Sequence, residues 1–154
     1  MKLTTLCYLE KGNQYLMLHR TKKEQDVNRD KWIGVGGHLE AEESPEDCMK
    51  REIFEETGLT PTAWRLRGVI TFLCDGLCEY MFLYTVTDWT GEVGECDEGD
   101  LAWIEKKKLY ELPMWEGDHI FLRLLEENGP FFSLKLTYCG ETLTDAELNG
   151  EVIR

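Results

Sequence analysis

Residues 37–59 read GHLEAEESPEDCMKREIFEETGL, and this stretch carries the clearest structural signals in the chain. Ser44 followed by Pro45 is typical of a helix start, because a serine side chain caps free backbone N–H groups and proline fits the first helical turn. Two acidic residues come next, where the positive end of the helix dipole favours them. Gly58 can adopt the left-handed conformation that ends a helix, so we predict a helix that stops near Thr57.

Three carboxylates share one face of this predicted helix. Glu52, Glu55 and Glu56 stand at positions i, i+3 and i+4, so they crowd within one helical turn. Arg51 points about 100° around the axis from Glu52, and one arginine cannot neutralise three acids. A divalent cation could, and an all-oxygen ligand set favours Mg2+ or Mn2+ over zinc. A solvated acidic helix face is the alternative interpretation of the triplet.

The residues around the helix follow a known spacing. Gly37 is followed after five residues by Glu43, and after seven more by the run REIFEETGL at 51–59. This pattern resembles the Nudix box, G-x5-E-x7-R-E-U-x-E-E-x-G-U with U aliphatic, and departs from it at no position. A chance match is on the order of one in a million. The resemblance implies an α/β protein with the Nudix-type α/β/α sandwich, a mixed β-sheet, and the box as a loop, a helix and a loop.

The resemblance also implies a metal site for Mg2+, or alternatively Mn2+. Its ligands would be the backbone carbonyl of Gly36 and the side chains of Glu52, Glu55, Glu56 and Glu98. Glu98 is included because family members often recruit one further acid from a loop outside the box, and the segment 91–100 is acidic. A solvated loop acid is the alternative for Glu98.

The catalytic residues implied by the resemblance are Glu52, Glu56, Arg51 and Glu43. Glu56 or Glu52 would be the general base, and Arg51 and Glu43 would form a buried pair that orients the catalytic carboxylates. The implied reaction is hydrolysis of a nucleoside diphosphate linked to another group. Metal ions bridge the phosphate oxygens in such a reaction and lower the pKa of a bound water.

Looser motifs resemble the MutT-like branch of the family, which hydrolyses oxidised purine nucleoside triphosphates. These motifs are the runs WIGVGG at 32–37 and PMWEGD at 113–118, with Trp103 before the second run. The resemblance implies an 8-oxo-dGTP diphosphatase-like activity that releases a nucleoside monophosphate and pyrophosphate. The substrate-binding residues that it implies are Arg20 near the phosphates, Phe72 and Met81 as pocket walls, Trp115 stacked on the base and Asp118 at the base edge.

Two positions depart from that branch. Ile33 stands where the branch places an asparagine that reads the purine edge, and Gly117 stands where it has a second aspartate. An isoleucine side chain forms no hydrogen bonds, so we expect a smaller preference for the 8-oxo base than a full set of polar contacts would give. The alternative for Trp115 and Phe72 is that both are core aromatic residues.

Two other functions are compatible with the sequence. The first is a Nudix hydrolase of ADP-ribose or another nucleoside diphosphate derivative. The second is a noncatalytic Nudix-like ligand sensor, which usually loses box carboxylates or carries an additional DNA-binding domain. The intact box and the chain length disfavour the sensor.

Outside the box, apolar and β-branched runs predict strands, and turn residues predict two hairpins. The hairpin turns are Lys11–Asn13 and Asp75–Gly76, and the charged segment Thr21–Lys31 is expected to be a solvated loop. The predicted strands are Leu3–Glu10, Gln14–Arg20, 32–37, Trp64–Asp75, Leu77–Val86, Leu101–Ile104 and, as the last, Phe131–Tyr138. Two further helices are predicted at Glu105–Glu111 and Glu116–Asn128.

Composition limits the partners of the chain. The 154 residues predict a single domain, 1–154, and 30 acidic against 17 basic residues give a net charge of −13. Such a charge disfavours nucleic acid polymers and membrane surfaces, so a small nucleotide would need cations to bind. Six cysteines without CxxC pairs, and no apolar stretch of membrane-spanning length, predict a reduced protein in the cytoplasm.

Overall fold

The computed structural model describes residues 1–154 and contains nine strands and two α-helices. The strands are β1 (Lys2–Lys11), β2 (Gln14–Arg20), β3 (Trp32–Ile33), β4 (Thr60–Cys74), β5 (Leu77–Thr90), β6 (Gly99–Glu105), β7 (Phe132–Cys139), β8 (Thr142–Leu148) and β9 (Glu151–Val152). The helices are α1 (Pro45–Thr57) and α2 (Asp118–Glu127), with a 3-10 helix at Lys106–Glu111.

The sheet is mixed, as predicted. Its order is β3-β2-β1-β5-β4-β7-β8-β9, and β6 pairs with β2. Strand β1 runs parallel to β5 and β4 runs parallel to β7, while the other pairs are antiparallel. The first predicted hairpin forms only next to its turn, with the pairs Glu10–Tyr15 and Lys11–Gln14. Beyond them β1 pairs with β5 and β2 with β6, and the two strands diverge.

The two faces of the sheet are covered by different helices. Alternate residues of a strand point to opposite faces; in β1, Tyr8 therefore joins the core that contains Phe121 of α2. Its neighbour Leu9 belongs to a second core, which contains Met49 and Ile53 of α1. This arrangement is the α/β/α sandwich that the sequence predicted.

Helix α1 begins and ends where the sequence predicted. The Ser44 hydroxyl accepts a hydrogen bond from the Asp47 N–H at 3.0 Å, and the Asp47 carboxylate accepts one from the Ser44 N–H at 3.0 Å. This reciprocal pair is a capping box. At the other end Gly58 has φ of 82°, and its N–H donates to the carbonyl of Phe54.

The second predicted hairpin is longer than expected. Asp75 and Gly76 both have positive φ, 47° and 87°, as the tight turn between β4 and β5 requires. The two strands nevertheless extend well beyond the predicted Trp64 and Val86, to Thr60 and Thr90. Pairing with each other holds these polar strand ends in place.

Three other expectations are corrected. The strand predicted at Phe131–Tyr138 is not the last, because β8 and β9 follow it. The segment Glu105–Glu111 forms a 3-10 helix from Lys106, and α2 begins two residues after Glu116. No helix is long and apolar enough to cross a membrane.

The segment Thr21–Lys31 has no regular secondary structure, as predicted, but it is not simply solvated. The Asp26 side chain is only 7% exposed and forms an ion pair with Arg20. This contact ties the segment to the end of β2.

Candidate active site

A cavity of about 610 Å3 lies beside the glycine-rich run before α1. Its walls combine residues from the strands, the segment 21–31, the box and the start of α2. Eight of the predicted site residues line it: Arg20, Gly36, Glu52, Phe72, Met81, Glu98, Trp115 and Asp118. The others do not line it: Glu56 and Arg51 form hydrogen bonds with the lining residues Gly36 and Glu52, and Glu43 and Glu55 form theirs with Arg51.

Arg51 organises the carboxylates of the box. Its Nε and Nη2 donate to the two oxygens of Glu43 at 2.7 and 2.9 Å, the planar fork geometry that only arginine provides. Nη1 donates to Glu52 at 2.8 Å and to Glu55 at 3.3 Å. The hydrogen bonds from Arg51 lower the pKa of Glu43 to about 2.

The Arg51–Glu43 pair is less buried than expected. The Arg51 side chain is 23% exposed and that of Glu43 is 14% exposed. The prediction of a buried pair is therefore corrected to a partly exposed one, in which Arg51 in the middle of α1 reaches Glu43 in the loop before it. Arg51 also reaches two carboxylates of the triplet, leaving only Glu56 without a cationic partner.

Glu56 is the buried acid of the triplet, with 6% exposure. One carboxylate oxygen accepts a hydrogen bond from the Gly36 N–H at 2.7 Å. Burial, followed by the hydrogen bond with Glu98, raises the pKa of Glu56 well above its ordinary value. Burial also raises the pKa of Glu52, although Arg51 opposes the shift.

Glu98 lies next to Glu56. The prediction that this loop residue adds a further acid to the box carboxylates requires that position. It is also paired with Arg20 at 3.0 Å and Lys23 at 3.3 Å. Burial tends to raise the pKa of Glu98, but the hydrogen bond with Glu56 and the two cations outweigh it and lower the pKa. Glu98 is therefore an ionised acid beside the box rather than a solvated one.

The donor set suits a hard divalent cation, because the carboxylates of Glu56 from α1 and Glu98 from the acidic loop contact each other. In this conformation no three acidic, histidine or cysteine side chains converge on one point that could hold a metal ion. The reason is visible in the ion pairs: Arg51 holds Glu52 and Arg20 holds Glu98. Metal binding at this site therefore requires side-chain rotations.

Trp115 is both a core residue and a cavity wall. It is 5% exposed and packs edge-on against Phe72 and Tyr138, with ring centroids 5.1 and 4.9 Å away. Its indole N–H donates to the Asn28 side chain at 2.7 Å, and the Lys31 ammonium lies 4.6 Å from the ring centroid. Trp115 is thus part of the core and also lines the cavity, so a core position and a position against a base do not exclude each other.

Asp118 is the first residue of α2 and is 8% exposed. No protein donor forms a hydrogen bond with its carboxylate, which lines the cavity. Burial raises the pKa of Asp118 to about 8, although nearby Lys31 opposes the shift. The side chain is therefore largely protonated near neutral pH, so it can donate one hydrogen bond and accept others.

The two departures from the MutT-like pattern have different structural settings. Gly117 donates its N–H to the Tyr138 hydroxyl at 2.8 Å, and a Cβ there would lie 2.6 Å from that hydroxyl oxygen. Tyr138 therefore leaves no room for a second aspartate. Ile33 lines the cavity and contributes only apolar surface.

Sequence reasoning missed Asp26 and Asn28, which contact predicted site residues. Asp26 binds Arg20 at 2.7 Å, so the Arg20 guanidinium is shared between two acids instead of being free for phosphates. Asn28 binds Trp115 across 87 positions of sequence. Both lie in a charged segment without periodicity, and no sequence signal distinguishes them from their neighbours.

Comparison with known proteins identifies the family of this chain. A family model described as the NUDIX domain matches residues 2–125, so the chain belongs to the Nudix family of hydrolases. It is 33% identical over 136 residues to the uncharacterized Nudix hydrolase YvcI of Bacillus subtilis, which covers 84% of this chain and 82% of that protein.

Two further likenesses concern the MutT-like branch. An oxidized purine nucleoside triphosphate hydrolase of Danio rerio is 29% identical over 132 residues, covering 84% of this chain and 83% of that protein. The crystal structure of a MutT protein from Bacillus halodurans has a TM-score of 0.87 and 27% identity, covering 98% of this chain and 99% of that one. Nudix hydrolases generally use divalent metal ions, and the name of the Danio rerio relative gives oxidized purine nucleoside triphosphates as its substrates.

Proposed function

We propose that this chain is a Mg2+-dependent nucleoside triphosphate pyrophosphatase, with Mn2+ as the alternative ion, that releases a nucleoside monophosphate and pyrophosphate. The observation that carries the proposal is one cavity with two chemically different ends. One group of lining residues is Trp115 and Phe72, which pack against each other, together with the unpartnered Asp118, and we call it the aromatic end. The other group is Glu52 and Glu98, whose charges interact, and we call it the acidic end. An aromatic end suits a nucleobase and an acidic end suits a metal-bound phosphate chain.

At the phosphate end, the ion would be held by the carboxylates of Glu52, Glu55, Glu56 and Glu98 and by the carbonyl of Gly36. When bound, Mg2+ offsets phosphate charge and acidifies water. Glu56 or Glu52 accepts the proton of the attacking water. Arg51, fixed by its two hydrogen bonds to Glu43, holds Glu52 and Glu55 beside the site in the metal-free protein, and both carboxylates would rotate away from Arg51 to bind the ion.

At the base end, Trp115 and Phe72 offer ring surface, and Met81 completes the wall. Stacking of this kind contributes about 1 to 3 kcal/mol per base. Protonated Asp118 can donate to a purine ring atom or a carbonyl oxygen. We infer that oxidised purine nucleotides such as 8-oxo-dGTP are substrates, with limited preference over dGTP because Ile33 and Gly117 add no polar contact.

The proposal implies a small-molecule nucleotide as the partner, with no nucleic acid polymer and no membrane. It also implies a reducing compartment such as the cytoplasm, since all six cysteines are free.

Ion chromatography of reaction products tests the proposal. Purified protein is incubated with dGTP, 8-oxo-dGTP, dCTP and ADP-ribose, each with Mg2+ and with EDTA. We expect monophosphate and pyrophosphate from the purine triphosphates, with Mg2+ only. Fastest turnover of ADP-ribose would instead identify the alternative hydrolase, and binding without turnover of any compound would identify the sensor.

A further inference from the structure

A continuous chain of hydrogen bonds connects the two ends of the cavity. The indole N–H of Trp115 donates to the side-chain oxygen of Asn28 at 2.7 Å, and the backbone N–H of Asn28 donates to the Asp26 carboxylate at 3.0 Å. The other oxygen of Asp26 accepts from Arg20 Nε at 2.7 Å. Arg20 Nη1 then donates to Glu98 at 3.0 Å. Five residues thus join the aromatic wall to the acid beside the box.

The middle of this chain is protected from solvent. The Asp26 side chain is 7% exposed and that of Arg20 is 14% exposed. Hydrogen bonds between charged groups are shorter and stronger than neutral ones, and partial burial reduces their screening by water. By contrast, each of the other ionic contacts of the segment, made by Lys23, Arg29 and Lys31, includes at least one exposed side chain.

We propose that Asp26 and Asn28 are positioning residues that couple the Trp115 ring to the Arg20–Glu98 pair. The inference rests on the proposed function, because it assumes that Trp115 contacts a nucleobase. An indole ring has a single N–H donor, and Asn28 accepts it, so the ring is held in one orientation. A base that displaces the ring displaces Asn28, and Asp26 transmits the displacement to Arg20. The fit of the base then affects turnover as well as binding.

The kinetic test compares two substrates that differ only in the base. One is dGTP, and the other is its analogue in which a hydrogen atom replaces the base. In Asn28→Ala we expect kcat for dGTP to fall at least fivefold, while kcat for the base-free analogue changes less than twofold. Asn28→Asp keeps a side-chain oxygen that accepts the indole N–H, so it should restore most of the lost kcat.

The matched control is Glu24→Gln in the same segment, since Glu24 is exposed and forms no side-chain hydrogen bond. We expect both substrates to keep their kcat within twofold in this variant. An equal loss for both substrates in Asn28→Ala would mean that Asn28 only supports the fold, and it would overturn the coupling.

A second test needs neither nucleotide nor metal. Urea unfolding of Asn28→Ala, Arg20→Met and the double variant forms a double-mutant cycle. If the two residues are linked, the unfolding equilibrium constant of the double variant should differ at least threefold from the value that the two single variants together predict. Additive effects would overturn the link between Asn28 and Arg20.

The two tests separate the possible failures. A parent protein that hydrolyses no nucleoside triphosphate contradicts the proposed function and the coupling to a base together, while the unfolding cycle still decides whether the link exists. A parent that hydrolyses dGTP, with both substrates slowed equally in Asn28→Ala, leaves the proposed function standing and overturns the positioning role alone.

Discussion

At the scale of single residues, two adjacent glycines before α1 have different tasks. A Cβ at Gly37 would collide with the Glu52 carboxyl group, which can rotate away, whereas a Cβ at Gly36 would collide with the backbone of Thr5. Gly36 also has φ of 149°, which side chains disfavour. Gly37 therefore makes room for a carboxylate, and Gly36 makes room for a strand.

This difference predicts separate effects on activity and stability. Gly37→Ala should lower kcat at least tenfold, because it displaces Glu52, and change the free energy of unfolding by less than about 1 kcal/mol. Gly36→Ala should lower the melting temperature as well. Gly129→Ala, where a Cβ meets nothing within 4 Å, is the control. Parental kcat in Gly37→Ala would contradict the position assigned to Glu52.

The buried carboxylate of Glu56 gives the second prediction. Glu56→Gln keeps the shape of the side chain and an oxygen that accepts the Gly36 N–H, but the amide can never ionise to the carboxylate that metal binding and base catalysis require. We expect kcat with Mg2+ to fall at least about 100-fold, as loss of a general base or a metal ligand entails. The melting temperature should stay the same or rise, because a desolvated acid has been replaced by a neutral amide. Near-parental turnover would refute the role of Glu56.

The raised pKa of Asp118 makes stability depend on pH. The folded chain keeps the proton up to about pH 8, whereas the unfolded chain releases it near 3.8. The folded state therefore binds more protons in this window, and its stability falls as pH rises from about 4 to 8. Lys31 opposes the shift, and the phenols of Tyr8 and Tyr138 remain neutral because their own pKa values are raised.

Asp118→Asn should remove this dependence. Urea unfolding at pH 5 and pH 7 measures the free energy of unfolding of parent and variant. We expect the free energy of unfolding of the variant, relative to that of the parent, to be at least about 1 kcal/mol higher at pH 7 than at pH 5. The reason is that one bound proton changes this free energy by about 1.36 kcal/mol per pH unit. A difference that does not change with pH would show that Asp118 ionises normally in the folded chain.

At the scale of elements, α1 is stabilised by its own caps, so its stability can be altered without touching the carboxylates. Ser44→Ala removes the hydroxyl that accepts the Asp47 N–H and should lower the free energy of unfolding by about 1 kcal/mol. The kcat at 25 °C should fall less than twofold. Ser133→Ala, whose exposed hydroxyl forms no hydrogen bond, is the control and should change stability by less than about 0.5 kcal/mol. A large loss of kcat in Ser44→Ala would mean that the cap also orients the active site.

The elements that the sequence predicted are those with local signals. The caps of α1 and the Asp75–Gly76 turn depend on neighbouring residues, and both are present in the structure. Strand β8 was missed because its sequence, TLTDAEL, is mostly polar, and its pairing with β7 shifts register between Thr137 and Tyr138. Only Leu143 and Ala146 are buried there, and they contribute to the core that contains Trp115. Strand β8 is held by pairing with β7 and β9, and its own residues do not predict a strand.

At the scale of the whole molecule, the site combines local and distant signals. The box lies within 23 consecutive residues, so its spacing alone predicted that three carboxylates share one helix face with Arg51 beside them, and the resemblance to the Nudix box added their roles. The base pocket draws on strands and loops throughout the chain, and only resemblance pointed to Phe72, Met81 and Trp115. The link from Asn28 to Trp115 spans 87 positions and depends on how the sheet folds. No pattern within either segment could have predicted it.

The distribution of charge over the molecule gives the last prediction. The net charge is −13, and the cavity wall contains only Lys2 and Arg20 as lysine or arginine side chains, with Arg20 already paired to two acids. A triphosphate entering this cavity therefore meets carboxylates, and a divalent cation must bridge the two. Calorimetry with a non-hydrolysable dGTP analogue should show at least tenfold weaker binding in EDTA than in Mg2+, a difference of about 1.4 kcal/mol. Uncharged guanosine is the control: it has no phosphate, so its affinity should be the same within twofold in both buffers. Equal affinity of the analogue in EDTA and Mg2+ would mean that the phosphates lie away from the box carboxylates.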